Sequence, residues 1–219
     1  MTDAALVPPK PLLRGWLHAV AFVSCVVLVA VLIAITEGAS TRGLLAVYAA
    51  GITAMLGVSA IYHRLRWGTR GLAVMARLDR SAIFLAIAAS YTPVAAIALD
   101  GVHRVLVLSI VWAGAIAGTA LVWWSAEVPR ALTVGLYAAV GWAALAALPQ
   151  LFRGLGGVGF TLLLAGGVAY TVGAVIYALR RPDPWPRVFG FHEIFHACTL
   201  VGVGTHLAAI SFVVLPLAA

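Results

Sequence analysis

Long apolar stretches without Asp, Glu, Lys or Arg alternate with short polar segments along the whole chain. Seven of these stretches have 19 or more residues, enough for a helix rising about 1.5 Å per residue to cross a hydrocarbon core of roughly 30 Å. They span 16–36, 43–63, 81–99, 105–126, 131–152, 154–179 and 194–219. Because the stretches show no period-2 alternation, the pattern predicts an all-α integral membrane protein, a bundle of seven transmembrane helices.

Composition agrees with this prediction. Of the 219 residues, 63% are hydrophobic and 10% are charged, and the mean hydropathy is +1.07, values that exclude an ordinary soluble domain. The first apolar stretch is too long for a signal-peptide core and lacks a convincing cleavage site, so we expect it to be retained. We therefore predict a short cytoplasmic N-terminal tail at 1–15 and one seven-transmembrane domain at 16–219.

The positive charges fall mainly on one side of the predicted membrane. With seven spans, eleven of the fourteen Lys and Arg residues lie in the tail and in the loops 64–80, 127–130 and 180–188. Since positive residues resist translocation, this side is predicted to be cytoplasmic, with the C-terminus outside, in the cell's inner (plasma) membrane. Topology thus explains the net charge of +7, and we expect no nucleic-acid partner. Cys25 and Cys198 fall within apolar stretches and are interpreted as core residues.

Four groups that can bind a metal are predicted to lie at one depth near the cytoplasmic face. His63 ends the second helix, Asp79 stands at the entrance of the third, and His192 and His196 occupy the first turns of the seventh. Residues four apart lie on one face of a helix about one turn apart, so His192 and His196 can bind the same ion. The position of all four groups at one depth favours a metal site over a set of unrelated polar residues.

This set of side chains suits a catalytic zinc ion. Such an ion usually has three protein ligands, here His63, His192 and His196, and an open position for water or hydroxide. Zinc lowers the pKa of bound water to about 7, so hydroxide forms at neutral pH. Asp79 would act as general base and then pass the proton to the leaving group, while Ser59 would hold the water or polarise a carbonyl. The arrangement predicts a hydrolase.

Each of these residues also has a structural interpretation when it is taken alone. An intramembrane histidine such as His63 can simply hydrogen-bond a backbone carbonyl. Asp79, flanked by Arg77 and Arg80, can form an interfacial ion pair. Ser59 can donate a hydrogen bond back to the preceding turn of its own helix.

Three further polar residues near the predicted site have open roles. Residues 192–196 match H-E-x-x-H, in which the glutamate is the base of a metalloprotease, but we interpret Glu193 as a charge favoured at a helix start. His206 lies about 15 Å beyond His196 along the seventh helix, too far to bind the same ion. It is expected to line a cavity above the metal or simply to bond a neighbouring helix, and His18 is expected to be a supporting or an interfacial residue.

The motifs that carry these residues resemble those of a known family. They are "SAIYH" at 59–63, "LDRS" at 78–81 and "RPDPWPRVFGFHEIFH" at 181–196, and the likeness begins at "PLLRGWLHAVAF". The chain resembles the hemolysin III family, bacterial members of the progestin and adipoQ receptor group. That resemblance implies a seven-helix bundle with a cytoplasmic N-terminus and a zinc ion near the cytoplasmic leaflet. It also implies that the ligands are His63, His192 and His196, with Asp79 and Ser59 around the zinc-bound water.

The resemblance also bears on function. The family's eukaryotic relatives, the adiponectin receptors, are linked to ceramide hydrolysis, the wider superfamily includes alkaline ceramidases, and bacterial members are connected with membrane lipid homeostasis. The leading prediction is a zinc-dependent intramembrane hydrolase whose partners are membrane lipids, cutting a lipid amide or ester such as ceramide. One alternative is a non-enzymatic, zinc-stabilised membrane sensor or regulator. Another is a hemolysin-like cytolytic protein, disfavoured because the apolar helices suggest no conducting path. The oligomeric state stays open.

Overall fold

The computed structural model describes residues 10–125 and 128–218. Regular secondary structure in these ranges is helical, apart from one isolated β-bridge between Trp185 and Phe189. The first nine residues of the predicted tail lie outside the described part of the chain. The chain is therefore an all-α protein, as its hydrophobic pattern predicts.

Seven α-helices follow one another within residues 10–125 and 128–218. They are α1 (Trp16–Ile35), α2 (Ala39–Arg64), α3 (Thr69–Ala98), α4 (Gly101–Trp124), α5 (Arg130–Gly141), α6 (Leu148–Leu179) and α7 (Phe191–Ala209). A 3₁₀ segment at Ala143–Ala147 joins α5 to α6, and a π-helical segment at Ile210–Val214 continues α7. By length and composition, six continuous helical stretches of the described chain can cross a membrane, with 130–179 taken as one stretch of 50 residues.

The 50-residue stretch from α5 to α6 folds back on itself. As one straight helix it would be about 75 Å long, and its two ends could not meet. Nevertheless the Arg130 side chain lies 4.7 Å from the ring centre of Tyr177, and Trp142 Nε1 donates to Thr171 Oγ1 at 3.1 Å. The chain reverses at Gly156, whose φ of 64° and ψ of 180° suit glycine alone. The stretch is a helical hairpin.

The third helix begins earlier than the apolar pattern suggests. The uncharged stretch starts at Ser81, whereas α3 starts at Thr69. Charged residues oppose burial in hydrocarbon but do not prevent a helix, so α3 extends through its basic segment. Asp79 consequently lies within α3, almost three turns from its start, and the prediction that it stands at the helix entrance is wrong.

Close packing of α3, α4 and α5 depends on two glycines of α4. A Cβ atom at Gly118 would overlap the ring of Phe84, and one at Gly114 would lie 2.6 Å from a methyl group of Val140. Such small residues allow helices to approach closely where lipid gives no hydrophobic driving force. Both glycines therefore serve packing within the chain.

Candidate metal centre

Three histidines from two helices converge at one end of the bundle. His63 lies in the last turn of α2, and His192 and His196 lie in the first two turns of α7. One ring nitrogen from each lies within 4.8 Å of the others, and the Nε2 atoms of His63 and His192 are 3.2 Å apart. His63 and His196 are only 7% and 3% exposed. Residues 129 positions apart in the sequence thus meet in a buried cluster.

The segment before α1 holds this end of the bundle together. Gly15 has φ 80° and lies against His63, where a Cβ atom at Gly15 would come 2.7 Å from the His63 Cβ. The preceding backbone pairs with the loop before α7, since Leu12 N donates to Arg187 O at 3.0 Å. A glycine is needed here because both the positive φ and the close approach exclude a side chain. The cluster is consequently enclosed by α1, α2 and α7.

The start of α7 is fixed by acidic side chains. Glu193 is 1% exposed; its Oε2 accepts from Gly190 N at 2.9 Å, and its Oε1 pairs with the Arg14 guanidinium. Asp183 Oδ1 accepts from Phe191 N at 2.9 Å. Glu193 is thus a charge at a helix start, as its position predicts, and both carboxylate oxygens are engaged there. Its pairing with Arg14 could not be predicted, because 179 positions separate the two residues.

A fourth histidine packs against the cluster. The ring of His18 in α1 stacks on that of His196, with centroids 3.9 Å apart and planes only 6° from parallel. His18 is 3% exposed, and within residues 10–125 and 128–218 neither of its ring nitrogens has a hydrogen-bond partner. This contact favours a supporting role for His18 over an interfacial one, because it restricts how the His196 ring can turn.

Ser59 and Asp79 form a second polar pair beside the histidines. Ser59 is 4% exposed and lies one turn before His63 on α2. Its hydroxyl is next to the half-buried carboxyl group of Asp79 on α3, in position to donate to it. Among the described residues, no Lys or Arg nitrogen comes within 4.0 Å of Asp79, so the alternative interpretation of Asp79 as half of an ion pair is not supported. Among the described residues, the potential ligand atoms that lie within 4.8 Å of one another belong to the three histidines, and Asp79 is not part of this group.

The three histidines fit a tetrahedral zinc ion. Two imidazole nitrogens bound to zinc at about 2.0–2.1 Å lie about 3.3 Å apart in a tetrahedron. The His63 to His192 separation of 3.2 Å already matches this spacing, and His196 lies within 4.8 Å of both. All three are neutral nitrogen donors when deprotonated, the ligand type that zinc prefers. The donor set therefore suits the predicted ion.

The fifth intramembrane histidine of the described chain does not join this cluster. His206 Nε2 is 3.1 Å from the carbonyl oxygen of Leu163 on α6, and its ring meets the edge of Tyr170. It also lines an apolar cavity between helices, together with Tyr91 and Trp142. The expected bond of His206 to a neighbouring helix is confirmed.

Comparison with known proteins identifies the family of this chain. The model of the family described as "Haemolysin-III related" matches residues 7–207, which include every residue of the cluster. The chain belongs to this family. It is 37% identical over 142 residues to "Hemolysin-3" of Bacillus cereus, covering 64% of this chain and 62% of that one.

Two further relatives extend the comparison. "Hemolysin-3 homolog" of Bacillus subtilis (strain 168) is 33% identical over 125 residues, 57% of this chain and 56% of the relative. "Heptahelical transmembrane protein ADIPOR2" of Oryza sativa subsp. japonica is 33% identical over 180 residues, 75% of this chain and 79% of the relative. The matches to the two bacterial proteins span less than two thirds of either protein's length. Family membership establishes a multi-pass membrane protein, consistent with the apolar helices.

Proposed function

We propose that the chain is a zinc-dependent intramembrane hydrolase that acts on a lipid amide or ester, ceramide being the first candidate. The observation that carries this proposal is the convergence of three buried imidazoles from α2 and α7. His63, His192 and His196 would hold the ion. A bound zinc ion would polarise the scissile carbonyl and lower the pKa of a water molecule. Asp79 and Ser59, which lie together beside the ligand-bearing turn of α2, supply the acid–base and hydrogen-bonding groups.

Each side chain of the cluster and its surroundings has a role in this proposal. Asp79 would take a proton from the attacking water and return it to the leaving amine or alcohol. Ser59 orients the Asp79 carboxyl group from the neighbouring helix. His18 and Gly15 close the side facing α1, which excludes bulk water from that direction. In this proposal, lipid acyl chains would reach the site laterally between helices, without a channel for soluble substrates.

In the proposed topology the protein crosses the inner (plasma) membrane seven times, and its N-terminus lies in the cytoplasm. The hairpin at Gly156 supports two spans within 130–179. With the other five helical stretches, these give seven spans. Eleven of the fourteen Lys and Arg residues then fall on the side that carries the histidine cluster. Cysteine accessibility of single sites in loops at opposite ends tests this arrangement: labelling of both ends from the same side would contradict it.

Turnover of labelled lipids by purified protein tests the hydrolase directly. Zinc-loaded wild type is expected to release fatty acid from ceramide or another lipid amide or ester. Asp79→Ala should lower kcat by about 10²–10⁴-fold, the range of general acid–base catalysis, while zinc content stays near that of wild type. Asp100→Ala, which removes an exposed carboxylate at the other end of the bundle, is the matched control. Equal activity of Asp79→Ala and wild type, or no turnover of any such lipid, would contradict the proposal.

A second candidate is a zinc clamp without catalysis, in a sensor or regulator of membrane state. It is favoured by the burial of the cluster and by the way it joins the end of α2 to the start of α7. Under this candidate, His63→Ala and Asp79→Ala would differ: the first lowers thermal stability and the second changes no measured activity. Zinc-dependent turnover that is lost in Asp79→Ala would exclude it.

A further inference from the structure

A basic cavity opens beside the histidine cluster. It has a volume of about 310 Å³, at the lower end of the range for ligand sites, and His63 forms part of its wall. Its other lining residues come from the segment before α1 and from the end of α2 and the following loop. They are Lys10, Pro11, Leu12, Arg14, Arg64, Leu65 and Arg66.

Four of these lining residues are cationic and none is acidic. Arg14 is neutralised by Glu193. Among the described residues, Lys10, Arg64 and Arg66 have no carboxylate within 4.0 Å. The cavity therefore has an excess of about three positive charges, which repel one another unless an anion binds.

The backbone and aromatic contacts hold two of these cations in place. Lys10 Nζ lies 3.5 Å from the carbonyl oxygen of His63, at the end of α2. The Arg64 guanidinium stacks over the ring of Trp16 at 4.4 Å from its centre. Topology explains why basic residues lie at this end of the bundle, but it does not explain why cations from two distant segments surround one cavity.

We propose that this cavity binds the phosphate group of a lipid headgroup. Arg and Lys are the side chains that recognise phosphate, and basic pockets between transmembrane helices at an anionic membrane surface bind lipid headgroups. The exposed Leu12 and Leu65 on the cavity wall suit the first carbons of a lipid rather than a fully hydrated solute. Because His63 borders the cavity, a lipid bound by its phosphate would have its acyl linkages near the three histidines. The further step, that such a lipid is the substrate, rests on the proposed hydrolase function.

Binding of fluorescent phosphatidic acid to the purified full chain in neutral detergent tests the site without turnover. Fluorescent diacylglycerol, which has the same acyl chains and no phosphate, is the reference ligand. Wild type is expected to bind phosphatidic acid at least tenfold more tightly than diacylglycerol. Since each cation near an anionic lipid is worth about fivefold in binding, the double variant Lys10→Gln/Arg66→Gln should lose about 25-fold.

Charge-matched controls separate the cavity from general electrostatics. Arg70→Gln removes an exposed cation at the start of α3 that does not line the cavity and should keep wild-type affinity. Arg66→Lys keeps the charge and should retain most of the binding, which distinguishes loss of the site from loss of fold. Equal affinity of wild type for phosphatidic acid and diacylglycerol would overturn the proposal. So would an effect of Arg70→Gln as large as that of the double variant.

Competition with inorganic phosphate distinguishes a site for the phosphate of a lipid headgroup from a site for the free ion. Failure of millimolar phosphate to displace phosphatidic acid would support a lipid site in which the acyl chains contribute. Displacement that is weakened by Lys10→Gln/Arg66→Gln would show that the same cavity also accepts the free ion. Displacement unaffected by the double variant would contradict the assignment to this cavity. Ceramide hydrolysis by a protein that does not bind lipid phosphate would overturn the phosphate site but not the proposed hydrolase function. Binding of lipid phosphate by a protein that hydrolyses no lipid would contradict the hydrolase function but not the phosphate site.

Discussion

The two ends of the helix bundle place histidines in different surroundings. At one end, the rings of His63, His192 and His196 face one another with ring nitrogens within 4.8 Å. Toward the other end, His206 belongs to no such group in the part of the chain that the structure describes, and its Nε2 faces the Leu163 carbonyl oxygen 3.1 Å away. His196 and His206 lie on the same helix, so neither the helix nor the residue type distinguishes them. What other helices bring to each ring decides whether a histidine can bind a metal or only pack.

Ion pairs show the same contrast. Arg14 and Glu193 join two distant segments, and their side chains are 20% and 2% exposed. Arg104 and Asp100, near the other end, are neighbours on one turn with side chains 42% and 85% exposed. A buried charge that loses its partner is costly, whereas an exposed pair contributes little. The ion pair beside the histidine cluster is therefore expected to matter more for stability than the one near the other end.

Breaking the two ion pairs should give the largest difference between the ends. Arg14→Ala leaves Glu193 buried without its partner and is expected to lower the free energy of unfolding by about 3–5 kcal/mol. Arg104→Ala should lower it by about 0–1 kcal/mol. Thermal and denaturant unfolding in detergent measure both values. Arg14→Ala/Glu193→Gln should recover part of the loss, and equal effects of the two arginine variants would contradict the contrast.

The stacked His18 ring should have a smaller effect, confined to the cluster. His18→Ala removes the support behind His196 and is expected to weaken zinc binding about 10–100-fold, as loss of a ligand's orienting partner commonly does. His18→Phe keeps a flat ring and should stay close to wild type. Competition with a zinc chelator measures both affinities. Unchanged affinity in His18→Ala would show that the stack does not orient His196, and an equal loss in His18→Phe would show that a ring nitrogen is required.

The isolated histidine should give the smallest effect. His206→Ala removes one hydrogen bond between α7 and α6, and such interhelical bonds are worth about 0.6 kcal/mol on average in membrane proteins. The zinc content should stay at the wild-type level. Loss of zinc in this variant would mean that the two ends are not independent. A decrease of more than about 2 kcal/mol in the free energy of unfolding would mean that the cavity beside His206 is essential to the fold.

Several features of the fold follow from local sequence. Uncharged stretches predict the helices because hydrocarbon excludes unpaired peptide groups. The start of α3 at Thr69 could not be read in this way, because its charged residues end the apolar pattern without ending the helix. The hairpin has a local signal in the glycines around Gly156, but only the contacts between α5 and α6 show that the chain reverses there.

In the candidate site, too, some features follow from local sequence and others depend on contacts between distant residues. The spacing of His192 and His196 follows from helix periodicity, and the depth of His63 follows from its place at the end of an apolar stretch. The stack of His18 on His196 and the pairing of Arg14 with Glu193 depend on how α1 packs against α7. Periodicity carries no information about such distant contacts, so the sequence indicated the three clustered histidines but not the side chains that surround them.

X-ray absorption at the zinc edge, combined with metal analysis of the purified chain, tests the central claim most directly. The account predicts one zinc ion per chain with three imidazole ligands at about 2.0–2.1 Å. It also predicts that His63→Ala loses the ion and that His206→Ala keeps it. An absence of zinc in wild type purified with excess zinc, or a full complement of zinc in His63→Ala, would contradict it.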